Sequence, residues 1–300
     1  MKIKDSLSRK VFNVFNVVFL ILVCITVLFP YLNTLAKSLN DGQDGARGGI
    51  ILWPRVFTWK NYETVFADEG IMRSFGVSVA VTLLGTVLAL VVQFMTAYAI
   101  MHRNLVGRSW VLYLFLIPMY FGGGLIPKYI LYSDIGLLNN FLVYILPGCF
   151  GVYNMTIIRS YLNSIPHSLI EAATIDGASD LTIAYRIMLP LAKPVLATVG
   201  LWTAVGLWNN WTTTMYFITK EELYTLQYVL VQVLKEAETI AAIIKEAALQ
   251  GIILEGMEME VTSVSLQSAQ LMITTLPIVC VYPFLQKYFI KGTTLGAVKD

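Results

Sequence analysis

Charge is scarce in this chain: only 13% of its 300 residues are Asp, Glu, Lys or Arg, about half of the ~25% usual in a globular protein. A soluble fold could not cover its surface with so few charges, and the 57% apolar content excludes a disordered chain. Cysteine is rare as well. Cys24, Cys149 and Cys280 lie far apart in apolar surroundings with no CxxC pair, which excludes a disulfide scaffold and leaves them as small buried hydrophobes. The two histidines, His102 and His167, are too few for a metal site and flank apolar runs, as interfacial side chains do. A net charge of +2 gives no basic field for nucleic acid. No G-x-x-x-x-G-K-[ST] loop occurs, nor any Gly-Lys pair, so the usual phosphate cradle for ATP is missing. The apolar runs hold almost no ionisable groups, which disfavours a proton- or sodium-coupled carrier. No Ser/His/Asp or paired-carboxylate constellation can be placed at a membrane face, which disfavours a lipid enzyme.

What remains is an all-α integral membrane protein. A helix needs about 20 mainly apolar residues to cross a bilayer, and six stretches qualify: Phe12 to Leu35, Phe75 to Ile100, Trp110 to Tyr132, Phe141 to Leu162, Val195 to Ile218 and Val264 to Phe289. Backbone amides in lipid need partners within the segment, so these are expected as helices. Alternating segments of a membrane β-barrel are absent. The first run has a basic start but exceeds the apolar core of a signal peptide, and is read as a retained helix.

Orientation follows from the cations. With both termini inside, the inner segments hold twelve Lys or Arg and the longer outer segments nine, as the positive-inside rule prefers. Three parts are expected: residues 1–74, a helix with an outer segment; residues 75–290, the core; and a cytoplasmic tail, 291–300. The outer segment 37–73 has a Gly-rich turn, Asn40 to Gly49, then Trp59, Tyr62 and Phe66 at helical spacing. The outer loop 219–263 is acidic, with Leu226, Leu230, Val233 and Leu234 forming a helical stripe.

The inner loop 163–193 is the most informative stretch. Pro166 suits the first turn of a helix, Gly177 its C-terminal cap, and Ser179 the start of a second helix that Pro190 closes. Leu169, Ile170 and Ala173 give the first helix an apolar face, with Glu171 and Asp176 outside it. Glu171-Ala172-Ala173, Gly177, Ile187 and Leu189-Pro190 match, without departure, the coupling signature Glu-Ala-Ala-x3-Gly-x9-Ile-x-Leu-Pro of importers of the ATP-binding cassette class. The chain resembles the second permease of maltose-type carbohydrate importers, most of all the branch for complex oligosaccharides such as aldouronate, rhamnogalacturonan and alginate fragments. Thr96-Ala97-Tyr98, Gly122 to Pro127, Gly136 to Asn139, Ile145-Leu146-Pro147, Trp208 to Trp211 and the ending Tyr282 to Phe289 with Lys291-Gly292 carry that likeness over residues 75–218 and 264–299.

The resemblance implies a type I importer permease fold, with six transmembrane helices in a bacterial inner membrane. It implies a homologous second permease, two ATPase subunits docked on the coupling loop, and an extracytoplasmic solute-binding protein that delivers an oligosaccharide. ATP and magnesium would sit on the ATPases, with no cofactor or metal in this chain. Within the loop it implies ATPase-coupling roles for Glu171, Ala172, Ala173, Asp176, Gly177, Leu189 and Pro190. The polar and aromatic residues inside the spans are pathway candidates: Trp208, Asn209 and Asn210, then Gln93, Tyr153 and Asn154. Aromatic faces stack on sugar rings and amides bond hydroxyls; ordinary interhelical hydrogen bonding is the alternative for the same residues. An importer for amino acids, peptides or phosphate shares the coupling signature and stays open.

Overall fold

The computed structural model describes residues 6–102, 105–249 and 263–297. Among these there is no β-strand, only an isolated bridge between Asn40 and Phe57. The chain divides into two units, residues 1–69 with 232–275 and residues 70–231 with 276–300. Of the outer loop expected over 219–263, residues 250–262 lie outside the described residues, as do the last three of the tail.

The first unit opens with α1 (Leu7–Ser38), whose start is capped by Ser6 accepting from the Arg9 N–H at 3.4 Å. Its apolar window has mean hydropathy 2.7 and no buried residue, so its apolar surface lies open all round. After it come α2 (Gly42–Ala46) and α3 (Lys60–Ala67). The aromatic spacing in α3 does not mark its inner face. Asn61 and Val65 are buried, while Trp59, at its start, and Phe66 are exposed. The polar Asn61 is inside because its Nδ2 donates to the carbonyls of Ser38 and Asn40, both at 2.9 Å.

The second unit is built round α4 (Glu69–Met101). Its buried residues Ser74, Ser78, Val81, Gly85, Ala89, Gln93 and Ala97 recur every three or four positions, the period of one helix face. There follow α5 (Arg108–Tyr120), α6 (Leu125–Asp134), a 3-10 turn at Phe141–Tyr144, and α7 (Val152–Ser164). Next are α8 (Ser168–Ile175) and α9 (Asp180–Thr182), then a π-helical stretch, Ile183–Met188, running into α10 (Leu189–Leu191). The chain ends through α11 (Lys193–Trp208), α12 (Thr212–Phe217), α13 (Leu226–Leu249) and α14 (Ser263–Ala297). In the α13 stripe, Leu226 and Leu230 are buried, and the Leu226 N–H donates to Ser78 Oγ at 2.8 Å.

Helices are held together in lipid by close packing, because lipid tails are as apolar as leucine. Two glycines permit that approach between α4 and α11. A Cβ on Gly85 would stand 2.7 Å from Leu207 Cδ1, and one on Gly200 would stand 3.1 Å from Leu90 Cδ1. Nearer the α8–α10 segment, Phe94, Met155, Ile158, Leu162, Ile183, Met188 and Val199 form the main core.

Among the described residues, not all six expected stretches are unbroken helices. Helices α1, α4 and Val264–Val281 of α14 are each long and apolar enough to cross a bilayer. The expected third span is broken after Tyr120, with α5 and α6 bent by 118°. Gly124, at φ +83, makes that turn. The expected fourth span is helical only from Val152, because the 3-10 turn and the Pro147-Gly148 reversal precede it. In the fifth, α11 stops at Trp208 and α12 restarts at Thr212. By length and composition the described helices give three spans, or five if each bent pair counts as one.

Candidate functional site

The loop between α7 and α11 is a capped helical hairpin. Ile165 is extended, at φ −74 and ψ 133, as a residue before proline must be. The Pro166 and His167 carbonyls then accept from Leu169, Ile170 and Glu171, and α8 begins. At its other end Gly177 has φ +78. The Gly177 N–H reaches the Thr174 carbonyl at 3.0 Å and the Ala178 N–H reaches Ala173 at 2.9 Å, the two bonds of a Schellman cap. Ser179 caps the next helix, accepting from the Thr182 N–H at 3.3 Å. Tyr98 Oη of α4 donates to the Asp180 carbonyl at 3.2 Å and ties the hairpin to the body.

Pro190 does not close that second helix. The chain runs helically from Asp180 to Leu191 and only then bends by 78° into α11. A proline ring inside an α-helix clashes with the carbonyl four residues back. The wider π turn ahead of Pro190, where the Leu189 N–H bonds to Ala184, removes that conflict.

Burial sorts the coupling candidates. Ala173 is buried and Leu189 half-buried, so they root the hairpin in the core with Ile183, Ala184 and Met188. Glu171, Ala172, Asp176, Gly177 and Pro190 are exposed. Ile175, one turn after Glu171, is 86% exposed, and Leu181 is exposed at the start of the next helical stretch. Sequence reasoning missed both, because it followed the stripe of Leu169, Ile170 and Ala173. Their signal was an apolar residue standing off that stripe in a polar loop. The hairpin thus offers a carboxylate, small side chains and two apolar knobs to a partner.

The pathway candidates fall into separate groups. Gln93 is 1% exposed, and its Oε1 finds no partner among the described residues. Gly151 passes close by: a Cβ there would be 3.8 Å from Gln93 Nε2 and 3.9 Å from Asn154 Nδ2. Asn154 in turn lies 3.5 Å from Thr203 Oγ1. Gln93, Asn154 and Thr203 therefore make a polar seam where α4, α7 and α11 meet. Thr82 and Thr86 also have buried hydroxyls without a partner among the described residues. Spacings of four and seven put Thr82, Thr86 and Gln93 on one face of α4, a stripe that sequence reasoning did not extract from so apolar a run.

Trp208 is 7% exposed, edge-on to Phe75 at 6.0 Å, and lines an apolar groove of about 80 Å³ with Thr82, Leu201, Val205 and Pro277. Asn209 is exposed at the end of α11, its N–H bonded to Val205 at 3.1 Å. Asn210 starts α12: its Oδ1 accepts from the Thr213 N–H at 3.1 Å and its Nδ2 donates to Thr213 Oγ1 at 2.8 Å. The Trp-Asn-Asn-Trp cluster is thus a helix junction rather than part of a continuous span. The Asn210 side chain suits it because it satisfies one of the N–H groups that the start of α12 leaves free. Tyr153 is exposed.

Comparison with known proteins bears on this arrangement. Residues 82–294 match the family described as binding-protein-dependent transport system inner membrane component. The chain is 37% identical to protein LplC of Bacillus subtilis (strain 168), covering 98% of this chain and 97% of that one. It is 31% identical to the polygalacturonan/rhamnogalacturonan transport system permease protein YtcP of the same organism, covering 98% and 100%. In structure it is similar to a chain of a bacterial ABC transporter involved in the import of the acidic polysaccharide alginate, with TM-score 0.84, 27% identity, and coverage of 96% and 100%.

Proposed function

The chain belongs to the family of binding-protein-dependent transport system inner membrane components, and from that premise we propose that it is one permease of an ATP-driven importer of oligosaccharides cut from acidic plant or algal polysaccharides. The family is one of transport permeases, not enzymes. In this reading a second, homologous permease completes the pathway in a bacterial inner membrane, and an extracytoplasmic binding protein delivers the sugar. Two ATPase subunits, holding ATP and magnesium, seat the α8 hairpin. Both termini are cytoplasmic, and residues 141–164 together with the two bent pairs and three long helices make six spans. Residues 1–74 form an N-terminal part, 75–290 the core, and 291–300 the tail.

The observation that carries the proposal is the capped hairpin, exposed along Glu171, Ala172, Ile175 and Asp176 and rooted by Ala173, Ile183 and Met188. A load applied at its tip passes to α4 through Tyr98 and to α11 through the bend at Ala192. In the pathway, Trp208 and Asn209 face the sugar, and the Gln93, Tyr153 and Asn154 side chains support it, with Asn210 holding the junction.

The test is uptake into vesicles that contain the reconstituted complex and its binding protein. Glu171→Lys abolishes uptake of galacturonan or alginate fragments and weakens ATPase association, with insertion of the chain unchanged. Normal uptake by that variant would overturn the coupling role. Uptake of amino acids or phosphate in place of oligosaccharides would overturn the substrate class.

A further inference from the structure

We propose that residues 49–57 form a wedge that sits in the lipid interface of the bilayer leaflet at the Ser38 end of α1, with Trp53 as its anchor. The segment leaves α1 and closes on itself. The Asp41 N–H bonds to the Val56 carbonyl and the Thr58 N–H to the Leu39 carbonyl, both at 2.9 Å, forming the neck of an Ω-shaped loop. Its interior is braced by Asn40, which is fully buried. Asn40 Oδ1 accepts from the Arg55 and Val56 N–H groups at 2.8 and 3.0 Å, and Nδ2 donates to Asp44 Oδ2 at 3.0 Å. Arg55 adds an ion pair to Asp44 at 3.0 Å and donates to the Gly48 carbonyl at 2.7 Å. Gly48 and Gly49, at φ +67 and +75, turn the chain back.

The direction of that return is set by Asn33. Its Nδ2 donates to the carbonyls of Ile50 and Ile51 at 2.8 and 2.7 Å. Asn33 is five residues before the end of α1, which at 1.5 Å per residue is about 7.5 Å back along the helix. The hydrocarbon layer takes about 20 helical residues, and counted from Val11, just after Lys10, these end near Pro30. Asn33 and the loop tip pinned to it therefore stand at the depth of the lipid carbonyl and headgroup layer. At that depth the tip presents Ile51, Leu52 and Trp53, which are 60%, 52% and 82% exposed. Tyr31 and Leu32 are exposed on α1 at the same level. An aromatic with aliphatic neighbours is the side-chain set that interfaces select. A flexible aqueous loop would not spend a buried Asn, an ion pair and two side-chain bonds from α1 to hold three apolar residues outward. The inference goes beyond the transport reading and rests only on α1 crossing the bilayer.

The test places an environment-sensitive bimane label at Trp53→Cys, in a chain whose Cys24, Cys149 and Cys280 are alanine. The importer complex is reconstituted in phosphatidylethanolamine and phosphatidylglycerol vesicles. The wedge predicts emission quenched by a nitroxide near the glycerol end of the acyl chain, little quenched by one near the methyl end, and shielded from aqueous iodide. Strong iodide quenching overturns the proposal, as does protection from all quenchers, which would mean that protein covers the tip. A label at Phe19→Cys reports separately on α1. If the deep nitroxide fails to quench it, α1 does not span, and both readings fall. Should the cysteine-free chain not assemble, native complexes in brominated lipid serve instead. Trp53→Phe then removes a lipid-quenchable share of the tryptophan emission, and an unchanged quenchable share overturns the wedge.

Discussion

Gly177 offers the sharpest test of the hairpin, because its role is purely conformational. It holds φ +78, and a Cβ added there would meet nothing within 4 Å. No steric clash therefore enters the cost of Gly177→Ala, only the left-handed backbone, which costs an L-residue roughly 1–2 kcal/mol. Asn tolerates that region better than Ala, and a β-branched residue worst. The expected order of damage is Asn, then Ala, then Val. Spread over a local equilibrium, 1–2 kcal/mol lowers the population of the capped hairpin roughly 5- to 30-fold. The two Schellman bonds are lost with it, so α8 frays and Glu171 and Ile175 are no longer presented together. Insertion survives, because Ile183, Ala184 and Met188 still seat the segment. The assay is capture of the ATPase by permease purified from membranes, alongside ATP-driven uptake. A Gly177→Val permease that captures ATPase and transports like wild type would refute the reasoning. So would Asn being no milder than Ala.

Gly85→Ala should destabilise the purified complex by about 1–3 kcal/mol through overpacking on Leu207, with Leu207→Ala restoring much of the melting temperature in the double variant. Asn139 holds φ 55 and its Oδ1 accepts from the Thr219 N–H at 2.6 Å, the Thr219 hydroxyl at 2.9 Å and the Lys220 N–H at 3.2 Å. Asn139→Gly, which keeps the backbone and loses the acceptor, should cost about 1–3 kcal/mol and speed proteolysis near Thr219. Asp44 is held below its ordinary pKa by the Asn40 side-chain bond and by Arg55. Its support of the 41–57 loop is then complete above the ordinary value of about 3.9 and fades as pH falls through the lowered one; protease cleavage of the loop should follow that trend, and Asp44→Asn should abolish the pH dependence.

Local chemistry was legible wherever one residue type is distinctive in what its backbone or side chain can do. Gly177 can take the left-handed cap and Ser179 can accept from a free N–H, and both keep those roles, while Pro166 lies just ahead of the His167 cap rather than in the first turn of α8, where it holds Ile165 extended. Long apolar stretches were equally plain in α1 and α4. The breaks were harder to see. Hydropathy averages over a window and does not register that Gly124 turns the chain by 118°, or that Asn209 and Asn210 end one helix and begin another. Pro190 misled for a related reason: its local rule assumes α geometry, and the π turn before it changes which carbonyl the ring would meet.

The candidate pathway shows a different limit. A polar side chain in an apolar span has two ways to be satisfied, by a neighbouring helix or by the transported solute, and composition is the same for both. Packing separates them by degrees. Asn210 spends both ends of its amide on Thr213 and so is held to the junction. Asn154 spends its Nδ2 on Thr203. Gln93 keeps a buried oxygen, one heptad along from Thr86 and about three turns along from Thr82, whose hydroxyls are also buried without a partner among the described residues. In hydrocarbon such groups are costly unless something completes them. These atoms lie inside the packed face of α4, out of reach of a solute, so single Ala substitutions at Thr82, Thr86 and Gln93 should register in the melting temperature of the purified complex before they register in uptake.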